Sequence, residues 1–277
     1  MGSLSITTIF AQPVAQSDTI IVQQWLHSRS PHTQRAYSRD VATLFAFTST
    51  SIRSTTLSQL QAYADSLAGS PATRARRLMA AKSLFSFAAK LGYIPFNVGA
   101  ALIAPRPSNQ LAERILSEEE VLRLLAAVVS HQRDHVMLRV LYSGGLRVSE
   151  AAGLRWRNCV DGYLNVTGKG GRTRVVRLST GTWDELIAIR PAGEVAEQRV
   201  FGLQAWGVWR RVRRAADRAG LRAVSPHFLR HAHATHALHR GADLATVSAT
   251  LGHAGAATTS RYLHARPNRS SGDWLGV

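Results

Sequence analysis

Residues 158–178 read NCVDGYLNVTGKGGRTRVVRL, and they separate this chain from an all-helical protein. Tyr163 to Thr167 and Thr173 to Leu178 carry β-branched residues in near-alternation, the period of a half-buried strand. Between them stands a glycine-rich turn, Gly168-Lys169-Gly170-Gly171. The stretch predicts a β-hairpin with a lysine at its tip. The rest of the chain reads mostly as helix, so the fold class expected is mainly α with a small antiparallel β-sheet.

Upstream, the helix starts are marked by their caps. Asp18 is placed to cap a first helix through Trp25 and Leu26. Ser30-Pro31 opens a second, in which Tyr37, Val41, Leu44 and Phe45 recur at three- and four-residue spacing. Ser58 begins a third, and Ser70-Pro71 a fourth that runs to about Lys90, where Gly92 and Pro95 end it. The expected organisation is a flexible stretch over 1–17 and a helical bundle over 18–103. Residues 104–113 (APRPSNQLAE) hold two prolines and no periodicity, the mark of a linker. Residues 114–277 then form a second, α+β domain. In it Ser117-Glu-Glu-Glu starts a helix through Val129 with a capping box, and another helix, from about Arg133 to Tyr142, ends at Gly144-Gly145. A further helix begins near Arg147, and helices return from Trp183 onward.

Composition narrows the class of partner. Among 277 residues, 34 Lys and Arg stand against 17 Asp and Glu, a net charge of +17. So large an excess points to a polyanion, and nucleic acid is the partner whose phosphates supply the opposing charge. An anionic membrane surface would need an amphipathic basic helix or a lipid anchor, and neither stands out. Cys159 is the single cysteine, which excludes an internal disulfide and a cysteine-based zinc site. No segment has the length of a transmembrane helix, and the apolar run Ile6 to Ala11 is too short for a signal peptide. A cytoplasmic location is expected.

Several residues carry possible chemistry, each with an ordinary reading when taken singly. Arg147 and Glu150 are three apart on one helix face, as in many surface ion pairs. His227 and Arg230 form H-x-x-R, and Ser225-Pro226 places His227 in the first turn of a helix, where free N–H groups favour an anion. His253 and Tyr262 follow. Five histidines between 227 and 239 raise the question of a metal, but no H-E-x-x-H occurs and carboxylates are sparse, so none is expected.

Together, two arginines, a lysine, two histidines and a tyrosine are what metal-free phosphodiester transesterification requires. Guanidinium forks match non-bridging phosphate oxygens and stay charged at any working pH. A phenol with a pKa of about 10 needs a base, and an imidazole suits that task. The leaving 5′-oxygen needs an acid, which a lysine supplies if neighbouring cations lower its pKa.

At these motifs the chain resembles the tyrosine recombinase, or phage integrase, family and its compact Xer-type members. The matching segments are YSGGLRVSEAAGL around Arg147, GKGGRTRVV around Lys169, HFLR at His227 to Arg230, LGH at His253 and TSRY at Tyr262, in the family's order and spacing. TQRAYSRDVATLF and PATRARRL…LFSFA resemble the family's SAM-like core-binding domain, and ILSEEEVLRLL the start of its catalytic domain. The likeness spans about residues 18 to 265. It implies that Arg147 and Arg230 clamp the scissile phosphate, that His253 hydrogen-bonds it, and that Lys169 is the general acid. By the same likeness His227 is the general base, Tyr262 the nucleophile that forms a 3′-phosphotyrosyl bond, and Glu150 the support of Arg147. It implies no cofactor, double-stranded DNA with specific core sites as partner, and a homotetramer on two sites, with room for a second recombinase as partner. Two departures stand out: the stretch after Tyr262 is short and polar from Asn268 to Gly272, leaving Trp274 and Leu275 for protomer exchange, and no extra arm-binding domain precedes the bundle.

Basic groups outside this set are candidates for DNA contact: Arg35 and Arg39; Arg74, Arg76, Arg77 and Lys82; and Arg210, Arg211, Arg213 and Arg214 beside Trp206 and Trp209. Two other readings stay open. A type IB topoisomerase shares the chemistry and would relax supercoils without pairing two sites, whereas the small N-terminal bundle favours a recombinase. A non-catalytic DNA-binding relative would have lost an active-site group, and none is missing.

Overall fold

The computed structural model describes residues 16–105, 115–168, 171–222 and 224–252. The chain divides into two compact units, Met1–Ser108 and Asn109–Val277. Most of the linker expected over 104–113 lies outside the described residues, as do residues 1–15.

The first unit is helical: α1 (Gln16–His27), α2 (Pro31–Thr48), α3 (Leu57–Ser66) and α4 (Pro71–Lys90), followed by a 3-10 turn at Val98–Ala101. Ser30 and Ser70 each accept the N–H of the residue three further on, with proline in the first helical position. Helix α3 starts earlier than its serine suggested. Thr56 caps it, and the side chain of Gln59 accepts the Thr56 N–H at 2.9 Å, so Ser58 lies inside the helix. Asp18 is also not a cap. It sits within the first turn of α1, wholly buried, and accepts the Ile52 N–H at 2.9 Å and the Tyr93 hydroxyl at 2.5 Å. Gln16 and Ser17 belong to α1 rather than to a flexible end.

Trp25, Val41, Leu44, Leu60, Leu84 and Phe85 meet in the core of this unit. Burial of each such side chain contributes roughly 1.5–3 kcal/mol before entropy is counted. Tyr37 stacks on Trp25 with ring centroids 5.3 Å apart, and Arg29 lies 4.9 Å from both rings.

The second unit contains α5 (Glu118–Ala126), α6 (Gln132–Ser143), α7 (Val148–Gly153), β1 (Cys159–Val160), β2 (Tyr163–Thr167), β3 (Thr173–Arg177), α8 (Thr180–Ala188), α9 (Ala205–Arg218), α10 (Pro226–His239) and α11 (Leu244–Leu251). The expected hairpin is present, with β2 and β3 antiparallel from Tyr163↔Arg177 to Thr167↔Thr173. A third strand, β1, lies beyond it in the order β1-β2-β3. Asp161 and Gly162, with φ of 48° and 85°, join β1 to β2 as a two-residue turn. An Asp-Gly pair suits that turn because both positions need positive φ.

Along the sheet Leu164, Val166 and Val176 point into a core shared with Leu138, Leu141, Trp156, Phe201, Val208 and Leu229. Arg174 lies on the Val176 side of β3, while Val175 and Arg177 face outward. Among the described residues no helix is long and apolar enough to cross a membrane.

Candidate active site

The turn from α6 into α7 builds the first part of the site. Helix α6 ends at Ser143, and Gly145 takes a φ of +58° that favours glycine. A Cβ there would lie 2.8 Å from Leu251 Cδ2 and 2.9 Å from His233 Cδ2, so the backbone must stay bare. Two residues on, Arg147 caps α7, and its backbone N–H donates to Glu150 Oε2 at 2.7 Å.

Glu150 is the hub. Its side chain is 2% exposed, and it accepts from Arg147 Nη1 at 2.8 Å. Arg174 grips the same carboxylate with both ends of its fork, Nη1 to Oε1 and Nη2 to Oε2, each at 2.8 Å. Burial alone would raise the pKa of Glu150. The hydrogen bonds from Arg174 and Arg147 outweigh it and hold the value down at about 2.

Arg230 joins this cluster from α10. It is buried and donates from Nη1 to the Gly145 carbonyl at 2.5 Å and from Nη2 to the Leu251 carbonyl at 2.6 Å. One arginine thereby ties the turn before Arg147 to the C-terminal end of α11. His227, one helical turn before Arg230, lies in the first turn of α10 with its ring stacked on His231, centroids 5.8 Å apart. Desolvation, then the charges of Arg230 and Arg147, lower its pKa from 6.5, so its ring is neutral near pH 7.

The structure thus brings together Arg147, Glu150, His227 and Arg230. Lys169, His253 and Tyr262 lie outside the described residues. The residues just before two of them reach the cluster. A Cβ on Gly168 would lie 3.3 Å from Glu150 Oε1 and 3.7 Å from Arg147 Nη1. Gly252 ends α11 with a φ of +62°, and a Cβ on it would strike Arg174 Cδ at 2.9 Å.

Three guanidinium groups around a single carboxylate leave an excess of positive charge, and with a neutral imidazole beside them the arrangement suits an anionic phosphodiester. The phage integrase family model matches residues 114–269, and the phage integrase N-terminal SAM-like domain matches residues 24–92. The chain belongs to the phage integrase family. Tyrosine recombinase XerC of Xanthomonas campestris pv. campestris is 35% identical to it, covering 85% of this chain and 79% of that protein. XerC of Xylella fastidiosa is 36% identical, covering 85% and 86%. A lambda integrase dimer bound to a COC′ core site shares the fold with a TM-score of 0.77 at 21% identity, covering 92% of this chain and 97% of that one. XerH bound to a palindromic difH substrate aligns with a TM-score of 0.68 at 21% identity, covering 94% and 88%. This chain is a tyrosine-type site-specific recombinase.

Three groups in this recombinase escaped the reading of its sequence. Arg174 is one, although its alternation with Val176 along β3 was a signal that it points inward. His233, on α10, is bonded to the backbone of Tyr142 and is kept neutral by burial, its pKa pushed down to about 4. His236 meets the Tyr142 hydroxyl through Nδ1 at 2.8 Å. These two of the five histidines join α10 to α6, and among the described residues no three metal-ligating side chains converge.

The basic groups singled out for DNA divide into two kinds. Arg35 and Arg39 are exposed one turn apart on α2, and Arg210 and Arg214 are exposed on α9 beside the stacked rings of Trp206 and Trp209, 5.0 Å apart. Arg74 and Arg77 are half-buried on α4. The others have partners in the chain. Lys82 donates to the carbonyls of Ala100 and Leu102, Arg76 pairs with the buried Asp40, and Arg211 holds Asp134 at 2.6 Å. Arg213 stands 3.9 Å from Asp217. Lys82, in particular, is spent on closing the 3-10 turn rather than turned to solvent.

Proposed function

We propose that this recombinase cuts and rejoins DNA by two transesterifications through Tyr262, with no metal in either step. In the first, the Tyr262 oxygen attacks the scissile phosphorus. A P–O bond to tyrosine forms, the P–O5′ bond breaks, His227 takes the phenolic proton and Lys169 gives one to the departing 5′-oxygen. The products are a 3′-phosphotyrosyl bond and a free 5′-hydroxyl. In the second, a 5′-hydroxyl from the partner duplex attacks that bond and releases Tyr262. Each step trades one ester for another, so no ATP is consumed.

Arg147 and Arg230 clamp the non-bridging oxygens, with His253 adding a hydrogen bond and Glu150 holding Arg147. Preorganised donors of this kind are typically worth ~2.7–4 kcal/mol each in the transition state. The observation that supports the reading is the bond from Arg230 to the Gly145 carbonyl, two residues before Arg147, because it fastens one guanidinium group to the turn from which the other residue emerges.

The partner is double-stranded DNA with specific core sites, bound by a homotetramer on two of them. A lambda integrase tetramer bound to a Holliday junction has the same fold, with a TM-score of 0.70 at 19% identity, covering 85% of this chain and 77% of that one. Arg35, Arg39, Arg210 and Arg214 supply backbone contacts, and the substrate puts the enzyme in the cytoplasm.

Tyr262→Phe should bind a core site as the parent does yet give no covalent protein–DNA adduct on a denaturing gel. An adduct from that variant would overturn the assignment. The pH profile tests the base. His227 works as the neutral ring, and its pKa lies below 6.5. Single-turnover cleavage should therefore hold at pH 7 and fall as the pH drops through that lowered value. An unchanged acidic limb in His227→Ala would remove His227 from the role.

A further inference from the structure

We infer that Arg174 is a positioning residue for the general acid: it pins the hairpin that bears Lys169 onto the helix that starts at Arg147. The inference rests on the transesterification reading above and extends it to a residue that reading does not use.

All three guanidinium nitrogens of Arg174 are engaged. Two grip Glu150 at 2.8 Å each, and Nε donates to the Thr250 carbonyl at 2.6 Å. Its side chain is 11% exposed, and the bare backbone of Gly252 lies against its Cδ. These bonds tie the strand to α7 and to the end of α11. Arg174 stands five residues after Lys169, on the arm that rejoins the sheet. That arm is locked to its neighbour where the Gly168 N–H donates to the Arg172 carbonyl at 2.8 Å. The other arm passes close to the same carboxylate: a Cβ on Gly168 would lie 3.3 Å from Glu150 Oε1. The arm after Lys169 is therefore fastened to Glu150 through Arg174, and the arm before it is fastened to that arm at Gly168.

A general acid works only within hydrogen-bond reach of its leaving group, and a misplacement of about 1 Å can cost about 10²-fold in rate. Lysine cannot replace Arg174, because a single ammonium lacks the planar fork that meets both carboxylate oxygens.

The test uses full-length recombinase and core-site duplexes whose scissile phosphate carries either the normal 5′-oxygen or a bridging 5′-sulfur, which departs without an acid. Single-turnover adduct formation is measured for the parent, Lys169→Ala, Arg174→Lys and Arg174→Ala, with DNA binding and thermal unfolding followed alongside. Arg174→Lys keeps the charge and the fold if the alanine variant does not. On the oxygen substrate Arg174→Lys should react roughly 10²-fold more slowly, and on the sulfur substrate it should regain most of that loss. Equal slowing on both substrates, or no slowing on either, would overturn the positioning role. Recovery of Lys169→Ala without recovery of Arg174→Lys removes that role alone. If neither recovers, the general-acid reading fails and takes the positioning claim with it.

Discussion

Asp18 in the helical unit and Glu150 in the catalytic unit are both almost wholly buried carboxylates, and they are held in different ways. Asp18 accepts hydrogen bonds from groups that carry no charge, the Ile52 N–H and the Tyr93 hydroxyl. These tie α1 to the loop after α2 and to the segment after α4. Glu150 is held by two guanidinium groups, so its site keeps a surplus: two positive charges against one negative leaves one, before Arg230 is added. The first arrangement fastens chain segments. The second fastens them and also leaves an unbalanced positive charge beside Glu150, in a partly buried setting where water screens it less than at the open surface. A buried carboxylate is therefore no sign of function by itself, and the charge of its donors separates the two cases.

Substitutions can break that comparison, and the largest effect is expected at Glu150. Glu150→Gln leaves Arg147 and Arg174 facing each other without their counter-charge. Breaking a buried pair in this way costs about 3–5 kcal/mol, and cleavage should fall by roughly 10²-fold as the arginines shift. The pH dependence has a definite sign. The folded pKa of Glu150, about 2, lies below its ordinary 4.5. Its ionisation then contributes about 3 kcal/mol of stability above pH 4.5, lost as the pH falls toward 2. Thermal unfolding from pH 7 to pH 2 should show this decline in the parent and a flatter one in Glu150→Gln. Equal slopes would mean that the carboxylate is not held by its arginines.

A smaller effect is expected at Asp18. Asp18→Ala leaves the Ile52 N–H and the Tyr93 hydroxyl without their buried acceptor and should cost about 1–3 kcal/mol in unfolding. Adduct formation by the folded enzyme should stay at the parental rate. A cleavage defect as large as that of Glu150→Gln would erase the distinction between the two units. The smallest effect is expected at Arg35→Ala and Arg39→Ala, on an exposed face with little to lose in stability, within about 0.5 kcal/mol. Their mark should appear in binding: the slope of log affinity against log salt should shrink by about 0.9 for each phosphate contact removed. An unchanged slope would take these two residues off the DNA.

Much of the fold was legible because its signals are local. The Ser30-Pro31, Ser70-Pro71 and Ser117 starts depend on a side chain three residues from the N–H it accepts, a distance that sequence preserves. The same logic, applied to Thr56 and Gln59, would have placed α3 correctly, and Asp161-Gly162 would have announced β1. The role of Asp18 is not legible locally, because a carboxylate before an apolar helix looks the same whether it caps that helix or reaches across to Ile52 and Tyr93. At the candidate site, Arg147, Glu150, His227 and Arg230 could be picked out by residue type and spacing, while Arg174 was passed over among three basic residues on one strand arm.

From the sequence alone came most of the helix starts, the hairpin, the positive charge and the order of the motifs, since each depends on residues near one another in the chain or on a sum over all of it. Which arginine serves which purpose was decided only by the tertiary structure. Arg174 reaches Glu150 across 24 residues, Arg211 reaches Asp134 across 77, and Arg230 reaches Gly145 across 85. Among 34 basic residues, only packing in three dimensions selects the few that turn inward to a partner.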